Sequence, residues 1–233
     1  AIGLQLYSVR KLCAEDLPGT LAGVKKAGYD GVEFAGYHNR SAAELKKLLD
    51  DNGLKCCGTH TALPTLLGDE LAKTIEFNKT LGNPNLIVPS LPKKHFASKA
   101  EILAVAKTFS EISAKCKAAG MRAGYHNHAI EFQTVEGELP WNLIFENTPK
   151  EFVMQVDTGN AAGGGGDYLA ALKKFPGRAK TVHLKEHSKA KKGALISEGD
   201  TDWKTLLATC QKTAGTEWFI IEEESGLYPG LES

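Results

Sequence analysis

Residues 2–19 read IGLQLYSVRKLCAEDLPG. The first part, 2–9, is short, apolar and rich in strand-forming side chains, and it predicts a β-strand. The loop after it decides which kind of sheet that strand enters. A doubly wound sheet usually carries a Gly-rich phosphate loop after its first strand, and YSVRKLCAEDLPG (7–19) holds no GxGxxG. The rest of the chain repeats one unit. Strand patterns at 31–37, 54–60, 84–91, 121–128, 151–160, 179–187 and 217–224 complete a set of eight. A helical pattern comes after each of the first seven: 17–30, 41–53, 69–81, 98–120, 140–147, 167–175 and 201–213. Ser41 with Glu44 gives the second of these helices a capping-box start. Eightfold βα alternation predicts an α/β fold, a (β/α)8 TIM barrel, as one domain over 1–233. The run AAGGGGD (161–167) reads as a flexible loop. Only about ten residues lie beyond the eighth strand, among them Gly226, Pro229 and Gly230. The eighth helix is therefore expected to be missing or truncated. The bared apolar surface would favour a partner, such as a second copy in a homo-oligomer, or a shortened chain.

Composition narrows the function classes. With 28 basic and 28 acidic side chains there is no basic field to draw nucleic acid. No apolar run approaches the length of a membrane helix. The chain starts at Ala1 rather than Met, which suggests a processed start and leaves periplasmic and cytoplasmic locations both open. Cys13, Cys56, Cys57, Cys116 and Cys210 are odd in number and scattered. They read as packed thiols rather than a disulfide framework.

In a barrel of this type chemistry gathers at the C-terminal strand ends. Those ends carry Glu33 (VEF), His60 (GTH), His126 and His128 (GYHNHAIEF, 124–132), Asp157 (QVDTGN), His183 and Lys185 (VHLKE), and Glu222 (FIIEEE). Imidazoles and carboxylates are the ligand types of a divalent metal. Each has a plainer reading. His60 alone at a strand end suits a hydrogen-bonded rim residue, and Glu223 and Glu224 belong to a solvated charge run. Asp157, His183 and Glu222 interrupt apolar runs, where an unpaired charge costs several kcal/mol, and a bound cation is the simplest compensation. Lys185 shares a face with His183 by the period of two. It either pairs with a carboxylate or polarises a substrate oxygen.

The strings GLQLYSVR, GYDGVEFAGY, YHNHAIEF, VDTGN, VHLKE and EGDTDW occur in this order over essentially the whole chain. Together they resemble a bacterial branch of the sugar phosphate isomerase/epimerase superfamily, the xylose isomerase-like TIM barrels. The resemblance implies a divalent metal (Mn, Mg, Zn or Co) held by an acid from the fifth strand, an Asp from the sixth, a His from the seventh and a Glu from the eighth. The last three fall on Asp157, His183 and Glu222. The fifth-strand position departs from the family, with His126 where Glu is common. Either His126 is the ligand, Glu131 folds back to replace the acid, or the metal is weak or absent; His126 is the favoured choice. The resemblance also puts Glu198, in EGDTDW, on a loop that closes the pocket, with Asp202 and Trp203 starting the next helix. Glu33, His60 and Glu198 are the expected substrate contacts.

What the resemblance implies for activity is metal-dependent sugar isomerisation or epimerisation through an enediolate. With His126 replacing one carboxylate, Glu222 would act on one face and His128 on the other, with Lys185 as a further catalytic candidate. The same site supports β-elimination by a keto-sugar or inosose lyase or dehydratase, including cleavage of a 3-keto-glycoside. An alternative of another class is a non-catalytic sugar-binding barrel, marked by an absent metal. All three readings take a small sugar or keto-sugar as partner, with no nucleic acid and no membrane.

Overall fold

Eight parallel strands succeed one another in chain order around a closed barrel: β1 (Ile2–Gln5), β2 (Gly31–Phe34), β3 (Lys55–His60), β4 (Asn85–Val88), β5 (Arg122–His126), β6 (Val153–Asp157), β7 (Thr181–Leu184) and β8 (Trp218–Ile221). This is a computed structural model, and it describes residues 1–227. Closure comes from β1 pairing in parallel with both β2 and β8. Every residue of β2, β4 and β6 is buried, as expected of parallel strands covered on both faces. The doubly wound alternative is thereby excluded.

Local chemistry sets the element ends. In the helix Ala42–Asp51, Ser41 Oγ accepts from the Glu44 N–H while Glu44 Oε2 accepts from the Ser41 N–H at 2.8 Å, completing the capping box. The long helix Lys99–Ala118 is capped by Ser98 and buries Ile102, Val105, Ala106, Phe109, Ile112 and Cys116, a stripe at helical spacing. All five cysteines are buried and unpaired. No helix among the described residues is long and apolar enough to cross a membrane.

Three expectations are corrected. The first strand is shorter than 2–9. Gln5 ends it, its side chain accepts from the Tyr7 N–H at 3.0 Å, and Leu6–Val9 turns into a 3-10 helix. The glycine run at 161–167 is not a slack loop. Residues Thr158–Gly163 form a short helix capped by Asp157. A Cβ on Gly164 would lie 2.5 Å from the Ala129 carbonyl oxygen, and one on Gly166 would lie 2.2 Å from the Phe132 ring. These glycines permit close packing. The seventh helix pattern (201–213) divides into a helix at Trp203–Thr209 and a π-helical turn at Cys210–Ala214. Asp202 caps its start as expected. No helix occurs at 222–227; the remainder of the eighth-helix expectation lies outside the described residues.

Candidate active site at the C-terminal end of the barrel

β6 supplies the hub. Its inward period of two presents Gln155 and Asp157 on one face, both fully buried. Gln155 Nε2 donates to Glu33 Oε1 at 2.8 Å and to Thr181 Oγ1 at 2.9 Å. A carboxylate accepts only, so this fixes the amide orientation. Gln155 Oε1 then accepts from His60 Nε2 at 2.9 Å and His126 Nδ1 at 3.0 Å. His126 therefore carries its proton on Nδ1 and turns a bare Nε2 toward Asp157 Oδ2, 3.9 Å away. Burial first, then His183 and His60, hold the pKa of His126 well below the usual histidine value, so it is neutral. An oriented neutral imidazole of this kind is what a metal ligand requires.

Glu33 reaches the barrel interior through a register shift against β3, where Val32 pairs with Cys56 but Glu33 with Gly58. A Cβ on Gly58 would lie 2.5 Å from Glu33 Oε1, so only glycine leaves room. The carboxylate accepts from Gln5 Nε2 at 2.8 Å and from His183 Nε2 at 2.6 Å, with His60 Nε2 at 3.2 Å. Glu33 is fully buried. It bonds His183 and stands 3.2 Å from His60, and its full burial suits orienting those rings better than the substrate contact expected of it.

His183 Nδ1 lies 3.1 Å from Glu222 Oε2 and 3.9 Å from Asp157 Oδ2. Ligand atoms of His126, Asp157, His183 and Glu222 all fall within 4.8 Å of one another; His60, His126 and His183 form a second such group. Glu131 joins neither: its carboxylate accepts from the Tyr125 hydroxyl and from the His128 N–H at 2.7 Å. Asp157 Oδ1 caps the next helix through the Asn160 N–H at 2.7 Å. Asp157 Oδ2 is buried and has no hydrogen bond. Lys185 Nζ stands 3.0 Å from it as an ion-pair partner, outside hydrogen-bonding geometry. The same ammonium lies 2.9 Å from Glu222 Oε2 and 2.9 Å from Glu224 Oε1. Lys185 and His183 thus already compensate much of the buried negative charge.

His128 lies beyond the end of β5 and is exposed, its ring centroid 5.3 Å from that of His126. The Asn between the two histidines clips β5 to β6: Asn127 Oδ1 accepts from the Asp157 N–H at 2.8 Å and Asn127 Nδ2 donates to the Asp157 carbonyl at 3.1 Å. A cavity of about 400 Å³ is lined by Tyr7, His60, His126, His128 and Glu222, among others. Glu198 is exposed, binding Lys191 Nζ at 2.5 Å and the Leu195 N–H at 2.9 Å. It ties its own loop together, while Leu195 and Ile196 of that loop line a neighbouring cavity that also touches Glu222. Trp203 Nε1 donates to Glu186 Oε2 at 2.8 Å.

The charge pattern has a consequence for stability. Burial alone would lower the pKa of His183, but Glu33 and Glu222 hold it up, at about 10. The folded value exceeds the ordinary 6.5, so this stabilisation is full below pH 6.5 and drains away as the pH rises to 10. Glu33 has the opposite sign. Burial would raise it, yet His60 and His183 hold it below the usual carboxylate value, so its contribution is lost only as acid protonates it. In chelator, the melting temperature is expected to fall steadily from pH 6.5 to 10. A flat profile across that window would show that His183 carries no such charge.

The chain is 24% identical over 237 residues to inosose dehydratase of Clostridium perfringens, covering 85% of this chain and 79% of that protein. It is 23% identical over 240 residues to rhizopine catabolism protein MocC of Rhizobium meliloti, covering 88% of this chain and 73% of the relative. A sugar phosphate isomerase/epimerase structure from Parabacteroides distasonis matches the fold with a TM-score of 0.85 at 23% identity, over 96% of this chain and 88% of that one. Residues 21–231 match a family model, and with the closed barrel this shows that the chain belongs to the xylose isomerase-like TIM barrel family.

Proposed function

We propose that this chain is an enzyme that moves a proton at a carbon next to the carbonyl of a keto-sugar or cyclitol ketone, with a divalent metal held by His126, Asp157, His183 and Glu222. The observation that carries the reading is the buried two-imidazole, two-carboxylate cluster, with its unbonded Asp157 Oδ2 and the bare Nε2 of His126. This donor set suits Mn, Zn, Co or Mg. When bound, such an ion polarises the carbonyl and stabilises charge developing on its oxygen.

The chain's own residues divide the proton work. Glu222 lines the cavity and is the base. Burial would raise its pKa, but His183 is the leading influence holding it well below the carboxylate range. Metal ligation needs a neutral His183, so an ion bound there would stand beside Glu222 in place of that proton and keep its carboxylate ionised. Lys185, 2.9 Å from Glu222, is mostly buried, yet Asp157, Glu222 and Glu224 hold its pKa above the ordinary lysine value, so it gives up a proton only to an oxygen that has taken on negative charge. A carboxylate base beside a cationic acid favours β-elimination, in which one takes the carbon proton and the other protonates the departing oxygen. Epimerisation instead asks for two groups on opposite faces that exchange roles. It is supported by His128, which lines the same cavity as Glu222.

Two measurements test the proposal. In deuterium oxide, the metal-loaded protein is offered a panel of keto-sugars and inososes. Deuterium is expected at the carbon beside the carbonyl; loss of water marks the lyase branch and a retained skeleton the isomerase branch. No exchange with any ketone would favour the non-catalytic sugar-binding barrel. Separately, Lys185→Met removes the ammonium that competes for Asp157 and Glu222. Metal is expected to bind about tenfold or more tightly by titration calorimetry, while turnover falls. Weaker metal binding in this variant would contradict the assigned ligand set.

A further inference from the structure

Glu33, Asp157 and Glu222 are buried carboxylates with tasks in the site; Glu131 is buried as well, 1% exposed, and has none. It belongs to neither group of clustered ligand atoms. Among the described residues no Lys or Arg pairs with it. A buried carboxylate is costly unless it is bonded, so the bonds it does make are informative. One oxygen accepts from the Tyr125 hydroxyl and the other from the His128 N–H at 2.7 Å. Glu44 reaches back to the Ser41 N–H in the same local relation, at 2.8 Å, but that bond is exposed and belongs to a ten-residue helix. The turn that contains Glu131, Ile130–Phe132, has three residues, too short to need a buried acid as its cap. The added partner is Tyr125, which is fully buried and packs against Phe109 and Trp141, with centroids 5.2 and 6.1 Å away. Tyr125 precedes His126 on β5 and so points to the opposite, outer face of the strand. The carboxylate therefore bolts the segment after β5 to a rigid aromatic cluster. What it holds at the other end is His128, which lines the cavity with His126 and Glu222.

We propose that Glu131 is a positioning residue: anchored by Tyr125, it fixes the backbone at His128 so that this ring stands over the cavity and hydrogen-bonds a substrate hydroxyl. The purpose of the brace rests on the ketone-site reading; the brace itself rests on its two bonds. His128 needs such a hold. It lies past the end of β5 and is exposed, so neither sheet pairing nor core packing fixes it. Its carbonyl accepts only a long bond, 3.4 Å, from Asn127 Nδ2. His126 is held independently, by pairing with Gln155 on β6 and by the bond to the Gln155 side chain. Loss of Glu131 should thus leave the metal ligands in place and loosen His128 alone. A loose ring must be ordered each time substrate binds, which weakens binding. The expected signature is a raised KM with little change in kcat.

The test compares Glu131→Ala, Glu131→Gln, His128→Ala and the Glu131→Ala/His128→Ala double variant, each as the metal-loaded full chain. The readout is deuterium exchange into the most reactive of the keto-sugars and inososes. His128→Ala should raise KM about tenfold, the loss of one hydrogen bond. Glu131→Ala should raise it nearly as far, with metal affinity unchanged. The double variant should be no worse than His128→Ala, because Glu131 acts only through that ring, whereas a general structural loss would add to it. Glu131→Gln should restore the native KM: its amide oxygen accepts from the His128 N–H while its NH2 donates to the Tyr125 oxygen. Amide hydrogen exchange reads the brace without turnover. In Glu131→Ala the His128 N–H should exchange about tenfold or more faster while the β5 amides stay protected. Additive KM losses in the double variant, or a Gln variant as poor as the Ala one, would overturn the positioning role and leave the ketone chemistry standing. An unchanged His128 amide in Glu131→Ala would overturn the brace directly. No deuterium in any ketone with the native chain would remove the ketone reading, and the substrate-binding purpose with it.

Discussion

Glu222→Gln is expected to lower turnover of a ketone substrate by about 10²–10⁴-fold while the barrel stays folded. The amide keeps the length and plane of the side chain but cannot take a proton from carbon. Glu222 is buried, with His183 Nδ1 at 3.1 Å and Lys185 Nζ at 2.9 Å. An amide oxygen accepts from one of these donors, and the other loses its partner. Lys185 is not stranded, since Asp157 and Glu224 remain within 3.0 Å and 2.9 Å. The structural cost is therefore contained, and with metal occupancy matched to that of the native chain the kinetic loss reports the missing base. Single-turnover kinetics alongside a thermal melt separate the two. A rate within about threefold of the native chain, in a variant that melts normally, would remove Glu222 from the proton step.

The order of strands and helices was legible because period-two runs and capped helices are local signals, and Ser41 with Glu44 behaves in the fold as its spacing implies. The residues at strand ends were legible too: His126, Asp157, His183 and Glu222 come from four different strands or their ends and meet within 4.8 Å. The groups that orient them were harder to see. Gln155 bonds to Glu33 across 122 positions of chain, and no short window contains both. The available hint was its place two residues before Asp157, on the same face of one strand. Gly58 makes room for Glu33 only because of a register shift, which neither segment announces alone. Charge reasoning from sequence was sound in kind but open in identity. Buried carboxylates do need cations, and within the fold Lys185 and His183 provide them. Compensation alone therefore does not select a metal; the unbonded Asp157 Oδ2 and the tautomer of His126 argue for one more specifically. The glycine run at 161–167 was misread because flexibility and close packing demand the same residue.

Gln155→Leu should be the most damaging single change to the fold near this site. The substitution nearly conserves volume, so packing is not the issue. Four neighbours lose their bonds: Glu33, Thr181, His60 and His126. Gln155 and three of these partners, Glu33, Thr181 and His126, are buried where water cannot replace the lost bonds. At about 1–3 kcal/mol for each buried group left unpaired, the loss is of order 4–6 kcal/mol. For a chain of this length each kcal/mol moves the melting temperature by about 2–4 °C, so a fall of about 10–20 °C is expected. The variant should also bind metal about 10–100-fold more weakly, because His126 loses the acceptor that holds its proton on Nδ1. Gln155→Glu separates the two effects. Its carboxylate still accepts from both imidazoles, but it faces Glu33 where the amide donated, so the tautomer survives and the repulsion is new. If the Leu variant melts within about 4 °C of the native chain, Gln155 is only a filler, and the orientation of His126 rests on something other than this bond.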